Sequence, residues 1–231
     1  MKSFILSIFS WLIFSRTYAD VYVITYATHN GKTGHTAIAL DNYEIIHYEK
    51  MVDNQIVSRY DTLKTQRLTY FDLWPKEDSK MTILRTLPPE YNLLPRSSSE
   101  QSITIESLIE KGLPHRQGYL SDGILRIKTS PFQDFILKDY IKKLIDEAKP
   151  FNTRTYNCTD FCLEAVNFLT GWKVEAKEFI PMHRSNTPNK FYKVLVKNYK
   201  VEIVQDAGKK VSGSFIRERL IKGVFKKKSR K

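Results

Sequence analysis

The chain is poor in cysteine. Its 231 residues include two, Cys158 and Cys162. That number excludes a disulfide-stapled scaffold and a four-cysteine zinc site. Glycine is scarce too: nine residues, with no glycine-rich loop able to cradle a phosphate, so no nucleotide is expected. Acids are outnumbered, 25 against 37 Lys and Arg, giving a formal net charge of +12. Such an imbalance favours anionic partners. Beyond the first twenty positions no apolar run is long enough to cross a bilayer, which takes about 20 residues. What remains has 42% hydrophobic and 27% charged residues, the composition of a folded protein rather than a disordered one.

The N-terminus follows an export pattern. Lys2 supplies a positive start, Phe4 to Phe14 is an apolar run interrupted only by serines, and Ala19 is a small residue at the end of a short polar stretch. Residues 1–19 therefore read as a secretory signal peptide cut before Asp20. Cleavage removes two bases and no acid, leaving a mature net charge of +10. The expected location is the periplasm or the extracellular space.

Strand signals dominate the first half. Val21–Tyr26, Gly34–Leu40 and Tyr43–Glu49 are rich in β-branched and aromatic residues. Asp41-Asn42 reads as the tight turn between the last two. Val57–Tyr70 predicts one or two short strands and Met81–Leu87 another. The prolines and serines of Pro88–Ser102 predict a loop, and Ile103–Gly112 a short helix. After a strand at Gly123–Lys128 the period changes to that of a helix. Ser130 is placed to cap it, Pro131 to begin it and Pro150 to end it. A second helix runs over Cys158–Thr170 with Gly171 as its stop. A third covers Pro188–Asn198, and Val201–Val204 is a last strand. The order predicts an α+β domain from about residue 20 to 205, followed by a basic C-terminal tail over 206–231.

Chemistry concentrates at Asn157-Cys158-Thr159-Asp160-Phe161. Asn157 and Asp160 stand in capping-box spacing, which puts Cys158 in the first turn of a helix. Free N–H groups and the helix dipole favour an anion there and can donate to an oxyanion. A thiol nucleophile also needs a base. Of five histidines, His35 and His47 lie almost symmetrically about the Asp41-Asn42 turn. A hairpin folding there would make them cross-strand neighbours, one imidazole facing the thiol and the other orienting it. Cys162 shares a helix face with Val166 and Leu169 and reads as core. A Cys158–Cys162 disulfide, one helical turn apart, is the competing arrangement. His29, His115 and His183 lack partners at metal-ligand spacing, so neither metal nor cofactor is expected.

At these residues the chain resembles the permuted branch of the NlpC-type papain-like cysteine hydrolases, which includes the YiiX-like and lecithin:retinol acyltransferase-like proteins. The likeness rests on a strand histidine (His35), a second histidine 12 residues later (His47) and a distant Asn157-Cys158-x-x-Phe161 opening a helix. It covers about Val21–Tyr48 and Ile124–Trp172. The segment 51–122 has no counterpart in it and offers no chemical signature. The resemblance implies a circularly permuted papain-like fold, an antiparallel sheet packed against helices. It implies Cys158 as nucleophile, His35 as general base and acid, and His47 as the residue that orients His35. The backbone N–H of Cys158 would join the oxyanion hole.

Two functions follow as expectations. One is an exported thiol hydrolase that cleaves an amide or ester bond in a cell-envelope peptide or lipid through an acyl-thioester. The other is a catalytically silent envelope-binding protein on the same fold. It would hold anionic polymers or a membrane surface through its basic surface and tail.

Overall fold

The computed structural model describes residues 19–52, 55–77, 85–97, 99–113, 115–116 and 119–222. The expected signal peptide up to residue 18, most of the Met81–Leu87 strand and the last nine residues lie outside them; Ala19, the last residue of that peptide, opens the first strand. Of that strand, Arg85, Thr86 and Leu87 are described, and Leu87 forms a single bridge to Phe151.

Six antiparallel strands form the main sheet: β1 (Ala19–Tyr26), β2 (His35–Val52), β3 (Gln55–Pro75), β4 (Pro89–Leu94), β5 (Gly123–Thr129) and β8 (Glu202–Gln205), in the order β4-β3-β2-β1-β5-β8. A small hairpin, β6 (Lys177–Ile180) with β7 (His183–Asn186), stands apart. The helices are α1 (Ile105–Glu110), α2 (Pro131–Glu147), α3 (Cys158–Thr170) and α4 (Pro188–Asn198). The architecture is α+β, an antiparallel sheet packed against helices, as the order of strand and helix signals predicts. Among the described residues no helix is long and apolar enough to cross a membrane.

Alternation along the strands feeds two cores. Val21, Val23, Ile38, Leu40, Phe71 and Leu73 point one way, into a layer with Leu137, Phe161, Val166 and Phe191 of α2, α3 and α4. Tyr22, Ile24, Ala37, Ala39, Leu68 and Tyr70 point the other way, towards Leu108 of α1. Phe161, Phe191, Ile38 and Phe71 are wholly enclosed, each contributing about 1.5–3 kcal/mol through burial.

The helix boundaries follow local chemistry. Ser130 caps α2 with Pro131 first inside it. Asn157 caps α3, and Gly171 ends it in the left-handed conformation at φ 68°. The strand boundaries differ more. Asp41-Asn42 is not a turn: β2 runs unbroken through it, with a register shift against β3 between Asp41 and Tyr43. A bulge absorbs the polar pair without reversing the chain. Tyr43–Glu49 is therefore the outer half of β2, not a third strand. The Pro88–Ser102 stretch holds β4, paired with Tyr70–Pro75. Its prolines fit because β4 is an edge strand, with Pro89 its first residue and Pro95 just beyond its end.

The domain also extends past residue 205. Ala207, Val211 and Phe215 are buried. The Glu218 carbonyl accepts from Gly31 N at 2.7 Å, and its carboxylate accepts from Asn30 N at 3.3 Å. Arg219 donates to Thr33 Oγ1 and the Gly31 carbonyl. Residues 206–222 are thus a packed strap over the loop that leads into β2, not a tail. The apolar residues at 207, 211 and 215 give this stretch a buried face that its basic composition conceals.

Candidate active site

The first turn of α3 meets the start of β2. Asn157 Oδ1 accepts from Thr159 N at 2.8 Å and Asp160 N at 3.4 Å, while Asp160 Oδ2 accepts from Asn157 N at 3.0 Å. The other end of the Asn157 amide donates to Thr153 O, Ser185 Oγ and Asn186 O. The cap is therefore pinned to the β6–β7 hairpin. It presents Cys158 at the first helical position, 8% exposed. No described group accepts from the Cys158 N–H, which leaves it free for a ligand. Thr159 Oγ1 lies 3.3 Å from Thr36 Oγ1 and ties the turn to β2 beside His35.

His35 is 2% exposed, hydrogen-bonds Asp72 and lines the same cleft as Cys158. Its Nε2 lies 3.0 Å from Asp72 Oδ2. Burial opposes the imidazolium, but attraction from Cys158 and the bond to Asp72 outweigh it and push His35 up to about 9. The surroundings therefore favour the protonated ring.

Asp72 is the centre of the polar network and is fully buried. Tyr70, Asp72 and Trp74 share one face of β3, two residues apart. Tyr70 Oη and Trp74 Nε1 both donate to Asp72 Oδ2, at 3.0 and 2.8 Å. Asn92, opposite on β4, donates to Oδ1 at 2.9 Å. Burial raises the energy of this carboxylate, yet these donors and the His35 charge hold it below its usual range. His115 Nε2 lies 3.6 Å away. Burial and the charge of His35 keep His115 below the ordinary histidine value, against the pull of Asp72. The Trp74 ring stacks on His35 with centroids 4.1 Å apart, and the Arg116 guanidinium lies 3.9 Å over the same indole. A cleft of about 190 Å³ opens here, walled by Gly34, His35, Trp74, Arg116, Cys158 and Phe215.

Of the three residues expected to cooperate, His35 and Cys158 come together and His47 does not. His47 lies on the same strand as His35, about 40 Å further along at the usual rise. It pairs with Tyr60, ring centroids 4.6 Å apart. The orienting group is Asp72, diagonal to His35 through the Ala37↔Asp72 register pair. The segment 51–122 is thus not silent: it supplies Asp72, Trp74, Asn92 and His115. A lone carboxylate inside the apolar run Tyr70-Phe71-Asp72-Leu73-Trp74 was the available signal, since a charge there must be partnered once buried. Cys162 is wholly buried in the core, its thiol pushed well up by burial, and both cysteines are free.

Searches of protein-family models, curated proteins and solved structures return no match to this chain.

Proposed function

We propose that the chain is an exported cysteine hydrolase of circularly permuted papain-like, NlpC-type architecture. It cuts an amide or ester bond in a cell-envelope peptide or lipid. The supporting observation is the buried Asp72–His35 pair lining one cleft with Cys158 at the head of a helix. The signal-like residues 1–19 support export.

The chemistry follows from the geometry. Cys158 passes its proton to His35, and the resulting thiolate attacks the substrate carbonyl carbon. The carbonyl oxygen gains negative charge and is met by the Cys158 N–H and the positive end of α3. The tetrahedral adduct collapses as the His35 imidazolium gives its proton to the departing amine or alkoxide. An acyl-thioester remains on Cys158. Neutral His35 then takes a proton from water, the hydroxide adds to the thioester, and the C–S bond breaks to release the acid. Asp72 holds the ring in place and stabilises its cation throughout. Trp74 fixes the ring plane from the side.

The test is turnover of cell-wall peptides and lipid esters by the mature chain. Cys158→Ala is expected to abolish it. A Cys162 variant that folds is expected to retain it. Unchanged turnover in Cys158→Ala refutes the assignment.

A further inference from the structure

The outer halves of β2 and β3 leave the domain as a two-stranded ribbon. Tyr43 to Val52 pairs with Gln55 to Lys64, and no other described strand adjoins them. Its side chains are mostly exposed and unusually apolar: Ile45 is 63% exposed, Met51 69%, Ile56 68% and Tyr60 67%. A two-stranded ribbon is at best marginally stable alone, and patches of this kind mark interaction surfaces. Its base is tied down. Lys64 Nζ reaches both Asp20 Oδ2 and Asp41 Oδ2 at 2.6 Å, and Tyr43 Oη donates to Asp134 at 3.1 Å. The ribbon is held out as a fixed arm.

Both edges of the arm are open among the described residues, since β1 pairs with β2 only as far as Leu40. The β3 edge is unpaired among the described residues from Gln55 until Leu68, which bridges Ile103. That edge also carries exposed Arg59 and Asp61 on either side of Tyr60, neither in an ion pair within the described chain.

We propose that two copies of this chain pair their β3 edges antiparallel about a two-fold axis at Tyr60. The register is self-complementary. Arg59 then faces Asp61 of the second copy, twice by symmetry. Val57 faces Leu63, Ser58 faces Thr62, and Tyr60 meets Tyr60. Sliding by one rung places Arg59 against Arg59 or Asp61 against Asp61, so charge selects this register alone. The product is a four-stranded sheet spanning both molecules. A bilayer is the weaker occupant, because insertion would desolvate Glu44, Glu49, Asp61, Lys50 and Arg59.

Sedimentation velocity across a micromolar concentration series tests the proposal on the mature chain. The wild type is expected to dimerise. Arg59→Glu sets two repulsive pairs in place of two attractive ones and is expected to weaken the dimer roughly tenfold or more. Arg59→Glu combined with Asp61→Arg restores the pairs in reverse and is expected to restore association. Tyr60→Cys is expected to give, under oxidation, a linked dimer whose cross-linked peptide contains position 60 twice. A wild type that stays monomeric overturns the proposal, whether or not it adheres to anionic vesicles. A dimer indifferent to Arg59→Glu, or one not rescued by the double exchange, also overturns it. None of these variants touches the cleft, so the hydrolase assignment stands or falls separately.

Discussion

Replacing Asp72 with Asn isolates what the carboxylate does for His35. The side chains match in size, so the cavity stays filled. Three donors converge on Oδ2: His35, Tyr70 and Trp74. The Asn oxygen must stay there to receive them, which turns its NH₂ towards the Asn92 amide donor. Asn92 can answer by rotating its own amide, but that breaks its bond from Arg96 at 3.1 Å. The larger effect is electrostatic. A hydrogen bond to a charged partner is worth about 1.5–3 kcal/mol, which equals about one to two pKa units. His35 should therefore titrate one to two units below the value near 9 that the intact site gives it. The assay is NMR titration of the imidazole carbons, which needs no substrate. Cys158→Ala provides the control and should also lower the midpoint, because the sulfur is the largest influence raising it. The sign for stability is fixed by linkage. A histidine raised from 6.5 to about 9 stabilises the fold fully below pH 6.5, and that contribution is lost as pH rises to 9. Hydrolysis should decline over the alkaline side, as His35 loses the proton owed to the leaving group, and decline earlier in Asp72→Asn. A wild-type midpoint near 6.5, or one unmoved by Asp72→Asn, would refute the network described here.

Two further substitutions probe the supports of the site. A Cβ at Gly34 would lie 2.7 Å from Thr28 N and 2.8 Å from the Tyr26 carbonyl, so Gly34→Ala must shift backbone next to His35. We expect a stability loss of about 1–3 kcal/mol in chemical denaturation and a fall in turnover. Asp134 is held near 7 by burial, against donors from Thr129 and Tyr43. A carboxyl raised in this way stabilises the fold below its unfolded value, and the contribution disappears as pH climbs through 7. Asp134→Asn, which does not titrate, should be more stable than the wild type at pH 8 and lose that advantage towards pH 4 in thermal melts.

The candidate nucleophile, Cys158, was legible in sequence because its placement is local. Asn157 and Asp160 build the helix start within four residues, and no distant contact is needed to put Cys158 in its first turn. His35 was legible for the same reason, as a histidine at the head of a strand. Its partner was not. Turn propensity at Asp41-Asn42 suggested a hairpin, but the bond energy of continuing β2 along β3 outweighs that local preference. The polar pair is absorbed as a bulge. Strands as long as β2 and β3 exceed the usual range, so the pattern was cut into shorter pieces. That cut brought His47 next to His35 on paper and hid Asp72, whose role depends on a register set by residues far away. The strap at 206–222 escaped notice because a basic, flexible-looking composition says little about three buried apolar side chains.

The order of the site along the chain sets a sequence of events during synthesis. The base and its carboxylate, His35 and Asp72, lie on two strands that pair with each other directly. They leave the ribosome well before the helix that bears the sulfur. β1 is completed only when β5 arrives on its other side, and Cys158 follows after that. A nascent chain that has delivered both strands still carries no thiol, since Cys158 and Cys162 both lie in α3. On the proposed mechanism, chains that end before residue 158 would form no thioester.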